Sequence, residues 1–452
     1  MGRRGLLLDM GVACALFVLA ATVFLQTVGT VPFHGDESEW INNGRYFRFV
    51  FLDGDVAGNV WRPSWLNRDQ PPLGRYIIGG IVWASGADPA QVNRSYAWDK
   101  NLAANQLEGR IPGPHLLLPV RRTMAVIGAL CVVLLFVAGR QVGGTLVGAV
   151  AGVFAIASPL LQSHFVQART EALLALFSTL ALVMLLAFAG RFALTGRVPR
   201  FAWAIGLLLG VALATKLTAA VAIVGACAYG GIAALARLRT AFREGVMLLG
   251  WTTATGLLTL VVWVGVNPFL WPDPIGRTYS MLTQQQSIMV EQGSMFGNDV
   301  DVALPNRLAL IAYRSFVENS TPSFDYGGEP GGEPSMRRTF LSLPTLGGIS
   351  LELALAAVGL AVLLRRVWAV WRSGQRHGVE SALFWWLAAY VLMIGANLSL
   401  DWPRYYVPTA FFGALLIGLG VQALATAAVA AWRSSNARPA TPGAAPRANV
   451  TG

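Results

Sequence analysis

Ten apolar segments constrain this chain more than any other feature. They lie near 7–28, 119–139, 144–161, 172–190, 201–215, 217–235, 246–268, 346–364, 381–399 and 406–430. Most approach the roughly 20 residues that a helix needs to cross the hydrocarbon core, and a few are shorter. The chain is 55% hydrophobic and 13% charged, so it is predicted to be an all-α polytopic membrane protein with about ten transmembrane helices. The first run is long and lacks a small-residue cleavage site, which predicts a retained helix rather than a removed signal peptide. Cys14, Cys131 and Cys227 all lie inside apolar runs, so no disulfide framework follows.

The net charge of +11 is unevenly spread. With the N-terminus placed in the cytoplasm, sixteen arginines fall on the inner side, among them Arg3, Arg140, Arg237 and Arg376. Only Asp9, Glu244 and Glu380 join them there as acids. The positive-inside rule therefore accounts for the whole excess, and no nucleic acid or other polyanion is needed as a partner. Usage rich in Ala, Gly and Arg points to a GC-rich bacterial source and hence to the plasma membrane. Both termini are then cytoplasmic.

Two outer segments are too long to be turns, 29–118 and 269–345, and loops of this length are usually functional. The apolar stretch 76–85 is too short to span and predicts a helix lying in the membrane interface. Trp61, Trp65, Trp83 and Trp98 in this loop fit anchoring or packing there. A second interfacial helix is predicted over 306–317, and Gly327 to Pro334 reads as a flexible turn-rich stretch. A membrane domain over 1–432 is expected to end in a disordered cytoplasmic tail, 433–452, rich in Ala, Pro and Arg. Lys216 divides the run from Phe201 to Arg237, where the chain must turn, and an ionisable residue recessed in the membrane is a functional candidate.

Charged clusters converge on the outer face under this topology. They are Asp36-Glu37, the run Arg68-Asp69-Gln70-Pro71-Pro72-Leu73-Gly74-Arg75-Tyr76, Arg121-Arg122, Arg169-Thr170-Glu171, and Asp401-Trp402-Pro403-Arg404-Tyr405-Tyr406. Lys216 joins them. Acids able to activate a hydroxyl and cations able to hold a phosphate thus share one membrane face.

With these motifs in this order, the chain resembles the GT-C glycosyltransferases that use polyprenyl-phosphate sugars, such as protein O-mannosyltransferases and lipid A aminoarabinose transferases. An Asp-Glu pair after the first span is matched by Asp36-Glu37. A Pro-Pro-Leu-x-x-Tyr element before an interfacial helix is matched by residues Pro71 to Tyr76. An Arg opening the second span, an Arg-x-acid-x-Leu-Leu run and an Arg-Tyr-x-x-Pro run are matched by Arg121, by Arg169 to Leu174, and by Arg404 to Pro408. Gly206, Gly210 and Lys216 match a Gly-rich span ending in Lys. Glu171 stands where the family often has Asp. The segment 269–345 matches no family element and is assigned to acceptor choice.

The resemblance implies a GT-C-type bundle that moves a sugar from a polyprenyl-phosphate donor to a hydroxyl on a protein, lipid or polysaccharide acceptor, with inversion. Asp36 would be the general base, and Glu37 would orient the acceptor or a cation. Arg404, Lys216, Arg121 and, more weakly, Arg75 would hold the phosphate, with Tyr405 beside them. Arg169, Glu171, Tyr76 and Arg122 would support the site. Membrane lipids are the surrounding partner. His34, Asp36 and Glu37 could take a divalent ion, but the mannosyltransferase branch implies no obligatory metal, so no cofactor is predicted. Two other functions fit the residues. One is a lipid-linked sugar flippase or transporter, which also needs cations near a lipid phosphate; the other is a GT-C-type polysaccharide ligase.

Overall fold

The computed structural model of the protein describes residues 3–296, 303–317, 345–346, 349–398 and 401–436. Helix α1 (Arg3–Thr27) leads into a loop that carries α2 (Gly35–Asn43), α3 (Arg45–Phe47), α4 (Trp65–Asp69), α5 (Leu73–Ala84) and α6 (Leu102–Leu107). The bundle continues with α7 (Pro114–Gly143), α8 (Thr145–Ala157), α9 (Pro159–Val166), α10 (Glu171–Thr195), α11 (Trp203–Thr215), α12 (Ala220–Leu238) and α13 (Phe242–Val266). A second loop region holds α14 (Pro274–Phe296), α15 (Leu304–Phe316) and a two-residue strand pair, β1 (Thr345–Leu346) with β2 (Ile349–Ser350). Helices α16 (Leu351–Ser373), α17 (Val379–Asn397) and α18 (Pro403–Asn436) complete the described residues.

Among the described residues, eight helices are long and apolar enough to cross a membrane, or nine if the bent pair α8 and α9 is one span. Two of the ten expected spans therefore differ from simple helices. The segment 144–161 breaks at Ser158-Pro159 and bends by 72°. Proline lacks the N–H of a helix interior and pushes the residue before it to extended geometry, and Ser158 has ψ 116°. Its hydroxyl then caps α9 by accepting from Leu161 N. The segment 201–215 forms α11, whose 13 residues reach about 20 Å, two-thirds of the hydrocarbon core.

The core is built by α7 and α10, packed on each other and flanked by α1, α8, α11 and α18. Helices α16 and α18 meet backbone to backbone. A Cβ placed on Gly359 would lie 1.8 Å from the Leu416 carbonyl oxygen, and one on Gly420 would lie 2.1 Å from that of Leu355. Small residues at such crossings bring membrane helices into close van der Waals contact.

The first loop holds the expected helix, α5, which begins at Leu73. One face is buried against α2, α3, α7 and α11 through Gly74, Tyr76, Ile78 and Val82, while Trp83 is exposed. Trp61 is buried against Tyr46 and Tyr76 and is a packing residue, whereas Trp65 and Trp98 are exposed. The second loop holds the expected helix as α15. It also holds α14, which was not foreseen. Its signal was present: Asp273 precedes Pro274 at the first helical position, and the Asp273 carboxylate accepts from Gly276 N at 2.9 Å. The tail boundary moves, since α18 runs to Asn436 rather than ending at 432. The turn-rich stretch Gly327 to Pro334 and the rest of the tail lie outside the described residues.

Replacing Gly359 by Leu is expected to lower the thermal unfolding midpoint in detergent, with a cost of about 1–3 kcal/mol or more, because the clashing atoms are backbone. Gly250→Ala, where nothing lies within 4 Å, is the matched control and should be neutral to slightly stabilising.

Candidate active site

The site begins with a helix cap. His34 precedes α2, and its Nδ1 accepts from Asp36 N at 3.1 Å. The Glu37 side chain returns the bond by accepting from His34 N at 3.0 Å, completing a capping box. Two carboxylates in the first turn also suit the positive end of the helix dipole. Their fates then diverge.

Glu37 turns inward and is fully buried. Arg121 of α7 grips it in two-point fashion, with Nε 2.8 Å from Oε1 and Nη2 2.6 Å from Oε2. Ala168 N donates to Oε1 at 2.7 Å. The remaining Arg121 donors reach the carbonyls of Val28, Val31 and Pro32. Both Glu37 oxygens are held inside the protein, and Arg121 Nε, Nη1 and Nη2 are all engaged, so in this structure neither side chain is turned toward an acceptor or a phosphate. The pair is a strut that ties α2 to α7, to the end of α1, and to the chain just before α10.

Asp36 is less enclosed, with 22% of its side chain exposed. Its contacts fall on one oxygen. Oδ2 accepts from Arg404 Nη1 at 2.8 Å and from Arg169 Nη1 at 3.5 Å, with His34 Nδ1 at 3.6 Å. Oδ1 has no partner among the described residues. Arg404 sits over the rings of Trp402 and Tyr405, at 4.2 and 5.6 Å, and those rings stack on each other. Arg169 is buried against His164 and lies 3.7 Å from Glu171, which in turn accepts from Lys216 Nζ at 2.8 Å. A chain of alternating charge therefore runs Arg404, Asp36, Arg169, Glu171, Lys216 across one end of the bundle. Asp9 with Arg140, and Glu244 with Arg376, sit at the other end.

Burial pushes the Asp36 carboxyl up, but nearby positive charge outweighs it and holds the group below the ordinary carboxylate range. His34 is brought down to about 4, mainly by burial, so it is neutral near pH 7 and the two arginines carry the effect on Asp36 there. Asp69, at the end of α4, goes the other way: burial raises it, and the Asp36 charge adds to the rise. Its Oδ1 accepts from Gln285 of α14 at 2.7 Å, which ties the second loop to the first.

The other expected residues take packing positions. Arg75 is buried over the Tyr46 ring at 5.0 Å and donates to the Leu66 carbonyl. Tyr76 is buried, with its hydroxyl 3.4 Å from the Val266 carbonyl oxygen. Arg122 is exposed and takes no part in the cluster. Asp401 is gripped by Arg314 of α15 and accepts from the Tyr406 hydroxyl at 2.7 Å. Sequence reasoning missed His164, Arg314 and Gln285 as neighbours of the site. Among the described residues no three His, Cys, Asp or Glu side chains come together as a metal-binding set.

No family model matches the chain, and no curated relative does. Among solved structures, it is similar to the oligosaccharyltransferase of Archaeoglobus fulgidus in its apo form, at 14% identity over 95% of this chain and 52% of that one, with a TM-score of 0.49. It is also similar to AglB of the same archaeon in complex with an inhibitory peptide and a dolichol-phosphate, at 14% identity, 95% and 52% coverage and a TM-score of 0.47. A third is ArnT from Cupriavidus metallidurans bound to undecaprenyl phosphate, at 16% identity, 93% and 63% coverage and a TM-score of 0.48. The chain spans about half the length of the oligosaccharyltransferase structures and under two-thirds of the third.

Arg121→Ala is expected to cost about 3–5 kcal/mol, because it strands Glu37 as a buried charge. The purified variant should lose its monodisperse elution peak in detergent, and Glu37→Gln combined with Arg121→Ala should recover part of it. Acid should also weaken the fold. Because the folded His34 titrates near 4 rather than 6.5, the unfolded chain takes up a proton between those values that the folded chain refuses. Stability is then complete above pH 6.5 and falls as the pH drops toward 4. His34→Gln, which keeps a cap acceptor, should flatten that slope in thermal unfolding scans.

Proposed function

We propose that the protein is a GT-C-type membrane glycosyltransferase that moves a sugar from a polyprenyl-phosphate donor to a hydroxyl acceptor. The observation that carries this reading is Asp36. Its Oδ2 is pinned by Arg404 and Arg169, while Oδ1 has no hydrogen-bond partner among the described residues and lies at the same end of the bundle as Lys216. A base must have a free lone pair within reach of the proton it takes, and Oδ1 supplies one.

In the proposed reaction the acceptor oxygen attacks the anomeric carbon as its proton passes to Asp36 Oδ1. The bond from that carbon to the phosphate oxygen breaks, and the electron pair leaves with the phosphate. One carboxylate on the path suits a single displacement with inversion. Arg404 and Lys216 would meet the charge that grows on the departing phosphate. The planar Arg404 guanidinium, backed by Trp402 and Tyr405, suits two-point contact with phosphate oxygens. These side chains supply the positive charge the reaction needs, so the proposal involves no metal or other cofactor. Arg169 and Glu171 hold the two ends of the charge chain in register.

The arginine distribution supports an extracytoplasmic site with both termini in the cytoplasm of a bacterial plasma membrane. The link from Gln285 to Asp69 and that from Arg314 to Asp401 bring the second loop to the site, which supports assigning acceptor choice to 269–345. The broken span formed by α8 and α9 is the feature a lipid-linked sugar carrier would share.

Transfer of radiolabelled sugar from a panel of polyprenyl-phosphate donors by the purified protein tests the reading. Asp36→Asn should lower kcat by about 10²–10⁴-fold while donor binding persists. Because nearby positive charge holds Asp36 below the ordinary carboxylate range, the acid limb of the rate should lie below that range wherever the protein stays folded. Donor exchange between leaflets without transfer would favour the carrier.

A further inference from the structure

Four histidines are scattered through the sequence, and the charge chain uses none but His34 at its edge. His164 nevertheless lies inside it. It occupies the last turn of α9, the short helix that the break at Ser158-Pro159 turns across the bundle. The whole of α9 is buried. Phe165, next to His164, is wedged between Phe24 and Phe411, with ring centroids 6.2 and 5.4 Å away, and Gln162 Nε2 donates to the Ile156 carbonyl at 2.7 Å. These contacts fix the rotation of α9 and so the direction of the imidazole.

The imidazole meets Arg169 through Nδ1 and Arg169 Nη2. A guanidinium has only donors, so Nδ1 must be the acceptor, and the single ring proton is on Nε2. That Nε2 is buried and has no hydrogen-bond partner among the described residues. The side chain is therefore held for its Nδ1 contact and not for a second bond. Arg169 itself has 1% of its side chain exposed and reaches Asp36 Oδ2 with Nη1 at 3.5 Å. One terminal nitrogen of the guanidinium thus meets a neutral ring while the other reaches the base.

We propose that His164 is a positioning residue that holds the Arg169 guanidinium against Asp36 and so sets the orientation of the catalytic carboxylate. This rests on the transferase reading given above. A neutral acceptor at this place orients the arginine without adding a third carboxylate to Asp36 and Glu171, which already flank it. A misplacement of about 1 Å at a reacting group can cost 10²-fold in rate.

The test compares His164→Gln, which keeps an acceptor, with His164→Phe, which keeps the ring and removes the acceptor. Transfer from a polyprenyl-phosphate sugar by the full-length protein would be measured with kcat and donor KM separated, beside thermal unfolding. The expected result is a fall in kcat of about 10²-fold for His164→Phe at nearly unchanged donor KM and unfolding midpoint, with His164→Gln within a few-fold of wild type. Equal loss in both variants, or loss that tracks the unfolding midpoint, would overturn the proposal, as would full activity in His164→Phe.

A second measurement does not depend on activity. The protein labelled with 15N-histidine has four imidazole rings to assign, each with an Nδ1 and an Nε2 signal, and His164→Gln identifies the relevant pair. The proposal expects a neutral ring protonated at Nε2, with an Nδ1 signal that moves in Arg169→Ala. A ring protonated at Nδ1, or one indifferent to Arg169, overturns it. Should the wild-type protein transfer sugar from none of the donors while these signals hold, the transferase reading fails and the contact itself stands.

Discussion

The buried pair of Glu37 and Arg121 is the interaction on which the rest of the site depends. A charge pair in a membrane bundle is costly to desolvate and persists only when every donor and acceptor is met. Here the protein meets them with backbone: three carbonyls at the end of α1 and the N–H of Ala168. That requirement draws four separate parts of the chain to one point. It fixes the pitch of α2, and the pitch of α2 decides where the neighbouring Asp36 points.

Around that fixed point the site is assembled from helix ends. Arg169 and Glu171 stand at the start of α10, Lys216 at the end of α11, and Arg404 in the first turn of α18. Each charge has an opposite neighbour, so the end of the bundle carries a nearly neutral string of ion pairs in place of isolated charges. In a region of low dielectric such a string holds its members tightly and keeps Asp36 ionised. It also sets a condition on any anionic ligand, which must compete with a carboxylate for Arg404 or Lys216.

The two long loops are parts of this assembly. Helix α5 packs so closely on the bundle that a Cβ on Gly74 would fall 2.4 Å from the Thr170 methyl, next to the Arg169–Glu171 contact. Helices α14 and α15 reach the same end through Gln285 and Arg314. The sequence marked 76–85 and 306–317 as helices by their apolar content. It did not reveal α14, because the middle of that helix is polar, with Gln284, Gln285 and Gln286 in a row, and no apolar period stands out. Its start was legible only in the cap, where Asp273 precedes Pro274.

The sequence by itself determined the class of fold and the residue types gathered at one end of the bundle. Apolar runs near the bilayer length must become helices, and the arginine asymmetry orders their ends. It also placed an acid pair, several arginines and one lysine at helix termini that alternation puts on one side. The tertiary structure decided what each of them does. Asp36 and Glu37 are adjacent in sequence, yet about 100° of helical rotation separates a base candidate from a buried strut. Arg121 and Arg404 are the same residue type, but one is enclosed by carbonyls and the other lies over two aromatic rings. His164 looked incidental until a proline break turned its helix toward Arg169. Burial and partners arise largely from contacts between segments far apart in the chain, from 45 residues for Glu171 with Lys216 to 368 for Asp36 with Arg404, and local sequence carries little information about those.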